Sequence, residues 1–255
     1  MDKFLQGKTA LITGGSRGLG RAVAEEYAAL GALVAINYAN NDDAAHETLQ
    51  AIEAKGGNAF LIKSAQGSYA AAEELTRALD TGLRERTGST GLNILVNNAG
   101  GGPVADIDAT TPEIFEKILG DNMRGPFYVT KLLKARLRDG GRVIFLSSLG
   151  ARKALPEYVV YAMSKRGIET LTVVMAKELG PRNITVNCIS PGIIASDANA
   201  GIRADEELEA TYAKTTALNR LGVPSDLSGV AVALASPQMG YVTGQVIEVS
   251  GGMWL

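Results

Sequence analysis

Apolar residues fall along this chain in short, nearly unbroken runs, separated by longer stretches where they recur every three or four positions. The short runs are "TALIT" (9–13), "LVAINY" (33–38), "AFLIK" (59–63), "LNILVN" (92–97), "RVIFLSS" (142–148), "ITVNCIS" (184–190) and "QVIEV" (245–249). A strand of a parallel sheet reads this way because both of its faces are covered and neither meets water. The longer stretches predict helices over 18–30, 42–55, 69–86, 112–138, 158–179 and 225–236. Boundary signals agree with them. Thr111 precedes Pro112, with Glu113 in the first turn, and Gly180-Pro181 closes the helix over 158–179. Pro126 is expected to kink or restart the helix it sits in.

Seven strands alternating with six helices imply repeated βαβ units. With right-handed crossovers these close into an α/β fold: one doubly wound, parallel seven-stranded sheet with helices on both faces, of Rossmann type. No linker or repeat interrupts it, so residues 1–255 are read as a single dinucleotide-binding domain. The one long stretch without a strand is 191–244. Its first part, 191–222, reads as an excursion beyond the carboxyl end of the sixth strand, placed to shape a substrate pocket.

The 255 residues are 46% hydrophobic and 20% charged, which suits a globular domain. The formal net charge of -2 offers no general attraction to nucleic acid or to an anionic membrane. One cysteine, Cys188, and one histidine, His46, allow neither an internal disulfide nor a Cys/His zinc site within one chain. No metal is expected, and zinc-dependent alcohol dehydrogenase chemistry is excluded. No apolar run approaches the roughly 20 residues that span a bilayer, so a soluble cytoplasmic protein is expected. Cys188 reads as a small core residue and His46 as solvated.

After the first strand comes "TGGSRGLGRAVAEEYAALG", which places Gly14, Gly18 and Gly20 at a strand-to-helix junction. Glycines let the backbone turn tightly there, and they let a pyrophosphate approach the first amides of a helix whose dipole favours negative charge. The spacing is G-x-x-x-G-x-G rather than the standard G-x-G-x-x-G, but its place after the first strand points to a dinucleotide.

The motifs "TGGSRGLG", "NNAG" (97–100), Asn122, Ser148, "YAMSK" and "PGIIAS" (191–196) occur in an order and spacing that resemble the short-chain dehydrogenase/reductase family, from Lys8 to Gly252. Within it the chain looks most like the 3-oxoacyl-acyl-carrier-protein reductase branch. The resemblance implies that Tyr161 is the catalytic acid/base and that Lys165 binds the nicotinamide ribose and lowers the tyrosine pKa. It implies that Ser148, thirteen residues before Tyr161, hydrogen-bonds the substrate carbonyl, and that Asn122 helps hold a relay water behind Lys165. For the cofactor it implies that Ser16 and Leu19 join the glycine turn. It sets Asn98, Ala99 and Gly100 against the adenosine side. Around the nicotinamide it places Pro191, Gly192, Ile194 and Ser196. A homotetramer is the family expectation.

The residues themselves rationalise the tyrosine and lysine. Tyr161 and Lys165 are i and i+4, so they share one helix face. A cation about 4 Å from a phenolate stabilises it by roughly 4 kcal/mol at an effective dielectric near 20. That is enough to bring a tyrosine from about 10 to near 7, where acid/base catalysis works best. The expected reaction is hydride transfer to a ketone carbon, with Ser148 and Tyr161 at the oxygen.

The end of the second strand bears on the choice of cofactor. Enzymes that prefer NAD place an acidic side chain there for the ribose 2′-hydroxyl. Here the strand ends "INYANN", with Asn37 and Tyr38 at that point and no acid before Asp42. Arg17, inside the glycine turn, can bring a cation to a 2′-phosphate. NADP(H) is therefore expected, with Tyr38→Asp shifting preference toward NADH. The chain also departs from the family pattern. "SAQGS" replaces the usual aspartate near the adenine, leaving Gln66 as the substitute; Asn93 stands for an aspartate before "NNAG"; and Ser196 stands for a threonine.

The expected function is an NADPH-dependent carbonyl reductase acting on a ketone, with a 3-oxoacyl thioester on acyl carrier protein as one candidate. Arg136, Arg138 and Arg182 are the cations that could meet an acidic carrier, although ordinary solvated charges explain them equally well. The alternative substrates are sugar, polyol, steroid or polyketide-type ketones. A non-catalytic nucleotide-sensing protein on the same fold is the reading from another class, and the retained tyrosine and lysine oppose it.

Overall fold

The computed structural model describes residues 3–255. Seven parallel strands form one sheet: β1 (Thr9–Ile12), β2 (Leu33–Tyr38), β3 (Asn58–Lys63), β4 (Leu92–Asn97), β5 (Leu137–Leu146), β6 (Thr185–Pro191) and β7 (Val246–Val249). Their spatial order is β3-β2-β1-β4-β5-β6-β7. The chain winds outward from β1 in one direction and from β4 in the other, so the topological switch lies between them. Open α/β sheets bind ligands at that point, beyond the carboxyl ends of the strands.

Two apolar layers cover the sheet, and the alternation of side chains along each strand decides which residue joins which. On one face Ile12, Ile36, Val96 and Ile144 pack under α1 (Gly18–Ala29) and α9 (Pro224–Ala235). Tyr27 links those two helices by donating its hydroxyl to the Ala231 carbonyl at 2.9 Å. On the other face Leu11, Leu95 and Phe145 pack under α3 (Tyr69–Thr87), α5 (Gly125–Leu133) and α6 (Val159–Leu179). Each fully buried large apolar side chain contributes about 1.5–3 kcal/mol.

The predicted helix over 112–138 is three pieces. Thr111 caps α4 (Pro112–Leu119) by accepting from the Ile114 amide at 3.3 Å. A widened π turn follows over Gly120–Arg124, and α5 begins at Gly125. The break has a cause in the sequence. The helical donor to the Asn122 carbonyl would be the N–H of residue 126, and a proline has none. Strand β5 then starts at Leu137 rather than at 142, pairing with Leu92 ahead of an irregularity in the register. The remaining elements match the apolar pattern to within a residue or two, with α2 at Asp42–Ala54. Between β6 and α9 stand two short helices, α7 (Ala200–Arg203) and α8 (Glu206–Lys214). Among the described residues no helix is long and apolar enough to cross a membrane.

Candidate active site

β1, β4, β5 and β6 are adjacent and parallel, so their carboxyl ends lie together along one edge of the sheet. The glycine turn leads from β1 into α1. Gly14 (φ +62°) and Gly18 (φ +55°) adopt left-handed backbone that disfavours side chains. A Cβ on Gly20 would lie 2.2 Å from the Gly14 carbonyl oxygen and 2.5 Å from Asn98 Nδ2, so only glycine fits. At Gly18 such a Cβ would make only an ordinary contact, 4.0 Å from the Cβ of Ser196, so the turn lies beside the segment after β6. The first turn of α1 has no capping side chain and no acidic residue, whereas Asn41, Ser68, Thr111 and Asp205 cap α2, α3, α4 and α8. Free helix amides beside a glycine turn suit the pyrophosphate of a dinucleotide, so these residues fit that group.

Thr13 ties this turn to "NNAG". Its hydroxyl accepts from the Asn98 and Ala99 amides, each at 3.0 Å, while Asn98 Nδ2 donates to the carbonyls of Thr13 and Gly14 at 2.9 and 3.0 Å. Asn98 therefore spends its side chain on the architecture of the turn. Ser16 is buried, and its carbonyl accepts from Thr48 at 2.8 Å. Leu19 packs into the core beneath the turn, and Arg17 is exposed at the amino end of α1.

Ser148 follows β5 in extended conformation, and its hydroxyl oxygen accepts from the Gly150 amide at 3.1 Å. That leaves its proton free to be donated elsewhere. Tyr161 and Lys165 occupy one face of α6, with the Lys165 Nζ 5.5 Å from the tyrosine ring centre. Lys165 is buried and donates to the Leu146 carbonyl at 2.9 Å. Burial lowers its pKa from 10.5 to about 8. Tyr161 is pushed above 10, chiefly by burial, and the hydrogen bond with Ser148 acts against that. Desolvation rather than the lysine sets the direction here, and Tyr161 stands as a protonated acid.

Asn122 lies in the π turn, where its side chain is fully engaged. Its Oδ1 accepts from the Gly101 amide at 2.9 Å, and its Nδ2 donates to the carbonyls of Gly101 and Ile118 at 2.6 and 2.9 Å. A Cβ on Gly100 would fall 2.6 Å from Asn122 Oδ1 and 3.2 Å from Lys165 Nζ, which places the "NNAG" backbone against the lysine. Pro191 ends β6, and the Gly192 amide donates to Val249 at 3.1 Å. Ile194 is buried and bridges to Gly222, and Ser196 starts the turn that leads into α7.

A family model described as enoyl-(acyl carrier protein) reductase matches residues 14–254. The chain belongs to the short-chain dehydrogenase/reductase family. It is 35% identical to tetrahydroxynaphthalene reductase of Pyricularia oryzae over 97% of this chain and 90% of that one. Among solved structures it resembles the promiscuous reductase LugOII, which catalyses keto-reduction at C1 during lugdunomycin biosynthesis. The TM-score is 0.94 at 40% identity, over 99% of this chain and 100% of that one. It also resembles the angucycline C-6 ketoreductase LanV with bound NADP, with a TM-score of 0.94 at 38% identity over 100% and 98% of the two chains.

At the end of β2 the polar side chains are engaged within the protein. Tyr38 is only 7% exposed, and its hydroxyl donates to Asp42 Oδ1 at 2.8 Å, while Lys63 holds Asp42 Oδ2 at 2.7 Å. Asn37 donates to the carbonyls of Ile62 and Ser64 at 3.2 and 3.0 Å and accepts from Gln66 Nε2 at 3.0 Å. Both side chains thus bond within the protein, and Gln66 braces the strand end. No motif of the sequence singled out Arg152 or Glu169, and Ser147 stands beside Ser148 after the fifth strand. Glu169 is a carboxylate only 5% exposed, bonded by Ser147, Arg152 and Arg166. Its sequence signal was an acidic residue on the inward face of α6, one turn after Lys165.

Proposed function

We propose that the chain is an NADPH-dependent ketoreductase whose substrate is an aromatic, polyketide-type ketone. The observation that carries this reading is the convergence of Ser148, Tyr161 and Lys165 beside the uncapped amino end of α1. When bound, the nicotinamide supplies the hydride that reduces the carbonyl carbon. The chain's own residues handle the oxygen. Ser148, held as an acceptor by Gly150, turns its proton toward the carbonyl oxygen. Tyr161, kept protonated by burial, delivers its proton to the developing alkoxide. Lys165 keeps a cation at this spot and would hold the cofactor ribose. The Asn122 carbonyl, whose helical donor Pro126 cannot supply, would hold the water of a proton relay behind Lys165.

The aromatic substrate is favoured by the tyrosines around the site. The rings of Tyr158 and Tyr161 meet edge to face at 6.0 Å. The Tyr158 hydroxyl is pushed up first by burial, then by Glu157, by Tyr212 of α8 and by Tyr161. Such rings suit a flat polycyclic partner. Of the proteins named above, one is a tetrahydroxynaphthalene reductase and another an angucycline C-6 ketoreductase. Residues 191–222 serve as the substrate loop in this reading, within one domain spanning 1–255.

A carrier-protein-bound acyl substrate is less well supported. Arg136 is clamped by Asp80 through two bonds of 2.7 Å, Arg182 pairs with Asp139 at 2.8 Å, and Arg138 bonds Ser89 at 3.0 Å. All three cations sit where β5 begins, at the far end of that strand from Ser148. We further read the molecule as a cytoplasmic homotetramer. The exposed apolar side chains Phe127 on α5 and Met163, Val173 and Val174 on α6 support pairing of those helices.

The deciding experiment is NADPH oxidation against a panel of hydroxynaphthalene-type and angucycline-type ketones, 3-oxoacyl thioesters, sugars and enoyl thioesters. Turnover concentrated in the aromatic ketones supports the reading. Turnover of the acyl thioesters alone refutes the substrate class, and tight NADPH binding with no turnover returns the sensor reading.

A further inference from the structure

The turn that presents Ser148 is anchored at both ends to one side chain. Before it, Ser147 donates its hydroxyl to Glu169 Oε1 at 3.0 Å, with the Lys165 carbonyl 3.4 Å from the same hydroxyl. After it, Arg152 Nε contacts both carboxylate oxygens of Glu169, at 3.2 and 3.3 Å. Arg166, one turn before Glu169, holds Oε2 at 2.6 Å. Glu169 is 5% exposed and Ser147 is 4% exposed, so the carboxylate works away from solvent. A charge so placed persists only when it is paired and hydrogen-bonded, and this one has three partners.

Adjacent residues of an extended segment point to opposite sides. With Ser147 directed toward α6, Ser148 is directed toward the site. The short turn Leu149–Ala151 then carries Gly150, whose amide orients the Ser148 hydroxyl, and Arg152 returns the chain to Glu169. Helix α6 also carries Tyr161 and Lys165. One carboxylate therefore fixes the donor turn onto the helix that bears the acid and the cation.

We propose that Glu169 is a positioning residue for ketone reduction, setting the placement of Ser148 relative to Tyr161 through Ser147 and Arg152. The inference rests on the carbonyl-reductase reading above. Neither Glu169 nor Arg152 touches the glycine turn, so their loss acts on the ketone and leaves cofactor binding alone.

The test is a mutant cycle on the full chain, with three readouts: kcat on an aromatic ketone, the dissociation constant for NADPH from nucleotide fluorescence, and thermal unfolding. Glu169→Gln, Glu169→Ala and Arg152→Ala are each made alone and in a Ser148→Ala background. With Ser148 present, Glu169→Ala should lower kcat roughly 100-fold, the scale on which misplacement of about 1 Å acts. Glu169→Gln, which keeps a hydrogen-bonding side chain, should recover part of that loss, and the NADPH dissociation constant should stay near wild type. Without the Ser148 hydroxyl, the same substitutions should lower the residual rate little further. Arg152 is exposed at one edge of the cluster, so its alanine variant supplies the result if Glu169→Ala does not fold.

Equal losses with and without Ser148 would overturn the inference, as would a loss confined to NADPH binding or to unfolding. An unchanged rate in Arg152→Ala and Glu169→Gln would overturn it as well. If Ser148→Ala itself leaves kcat intact, the carbonyl-reductase assignment fails, and that outcome is distinct from the others.

Discussion

The ammonium of Lys165 donates to the carbonyl oxygen of Leu146 at 2.9 Å and has been drawn out of water to do so. Burial brings its pKa from 10.5 to about 8. In the free protein the cation is therefore lost as pH rises through about 8. Its neighbours stay neutral across that range, since Cys188 is pushed up to about 12 and Tyr161 is raised by burial. The profile of kcat/KM reports groups of the free enzyme. It should fall with a single proton above pH 8, and NADPH should bind more weakly on that limb. A flat NADPH dissociation constant between pH 7 and 9.5 would remove Lys165 from the ribose contact.

The same shift acts on stability. The folded-state pKa lies below the unfolded one, so the unfolded chain binds more protons between about pH 8 and 10.5. Through that window Lys165 makes unfolding harder as pH rises, and the penalty for burying its charge is fully present below it. Lys165→Met should remove this rise. Urea titrations of the two proteins at pH 7.5 and 9.5 measure it, and parallel shifts in both would refute it.

Tyr161→Phe keeps the ring that meets Tyr158 edge to face and removes only the hydroxyl. Loss of a general acid costs roughly 10²–10⁴ in rate. Ketone reduction should fall by that factor while the NADPH dissociation constant changes little. A variant retaining a substantial share of turnover would move the acid role elsewhere.

The strands were legible because the inner ones, β1, β2, β4 and β6, are covered on both faces and so write themselves as apolar runs. The break at 120–124 was harder to see. Pro126 announced an irregularity, but that it would take the form of a π turn ahead of the proline depends on how the Asn122 amide closes on Gly101. Tyr161, Lys165 and Ser148 could be named because their spacing is a motif. Their electrostatics could not be read, since the lysine was weighed as a solvated charge near a phenolate and burial reverses the balance. Glu169 stayed hidden because a carboxylate on a helix ordinarily faces water. Only the register of α6 against the turn after β5 buries it. The bond from Tyr38 to Asp42 was hidden for a related reason: Asp42 lies four residues on in sequence, and the start of α2 brings it back to the tyrosine.

The glycines of the first turn should separate stability from binding. A methyl on Gly20 meets the Gly14 carbonyl and Asn98 at distances that force the backbone to move. Overpacking of this kind costs about 1–3 kcal/mol. Gly20→Ala should lower Tm by several degrees and lose NADPH as a consequence. A methyl on Gly18 would make only an ordinary contact with the Cβ of Ser196, at 4.0 Å, and its left-handed backbone costs about 1–2 kcal/mol. Gly18→Ala should keep most of its stability yet bind NADPH poorly, because the methyl enters the space that a pyrophosphate would take. Calorimetry alongside nucleotide titration resolves the two, and normal NADPH affinity in Gly18→Ala would show that the turn is not the phosphate site.

Cofactor choice should rest on Arg17. The hydroxyl of Tyr38 is held by Asp42, and Asn37 is spent on β3 and Gln66, so neither offers a free donor to a 2′-phosphate. Arg17 stands exposed at the amino end of α1, where no side chain caps the helix. A hydrogen bond from such a cation contributes about 1.5–3 kcal/mol. Arg17→Ala should then weaken NADPH roughly 10- to 100-fold and barely change NADH. Added salt should erode the wild-type preference by screening the same pair. Tyr38→Asp, which the sequence alone suggested for switching the cofactor, should instead destabilise the fold. It would place a carboxylate in a site only 7% exposed, next to Asp42. The dissociation constants of the two nucleotides for wild type and Arg17→Ala, at low and high salt, decide the matter. Equal binding of NADH and NADPH by the wild-type protein would rule out a 2′-phosphate site at Arg17.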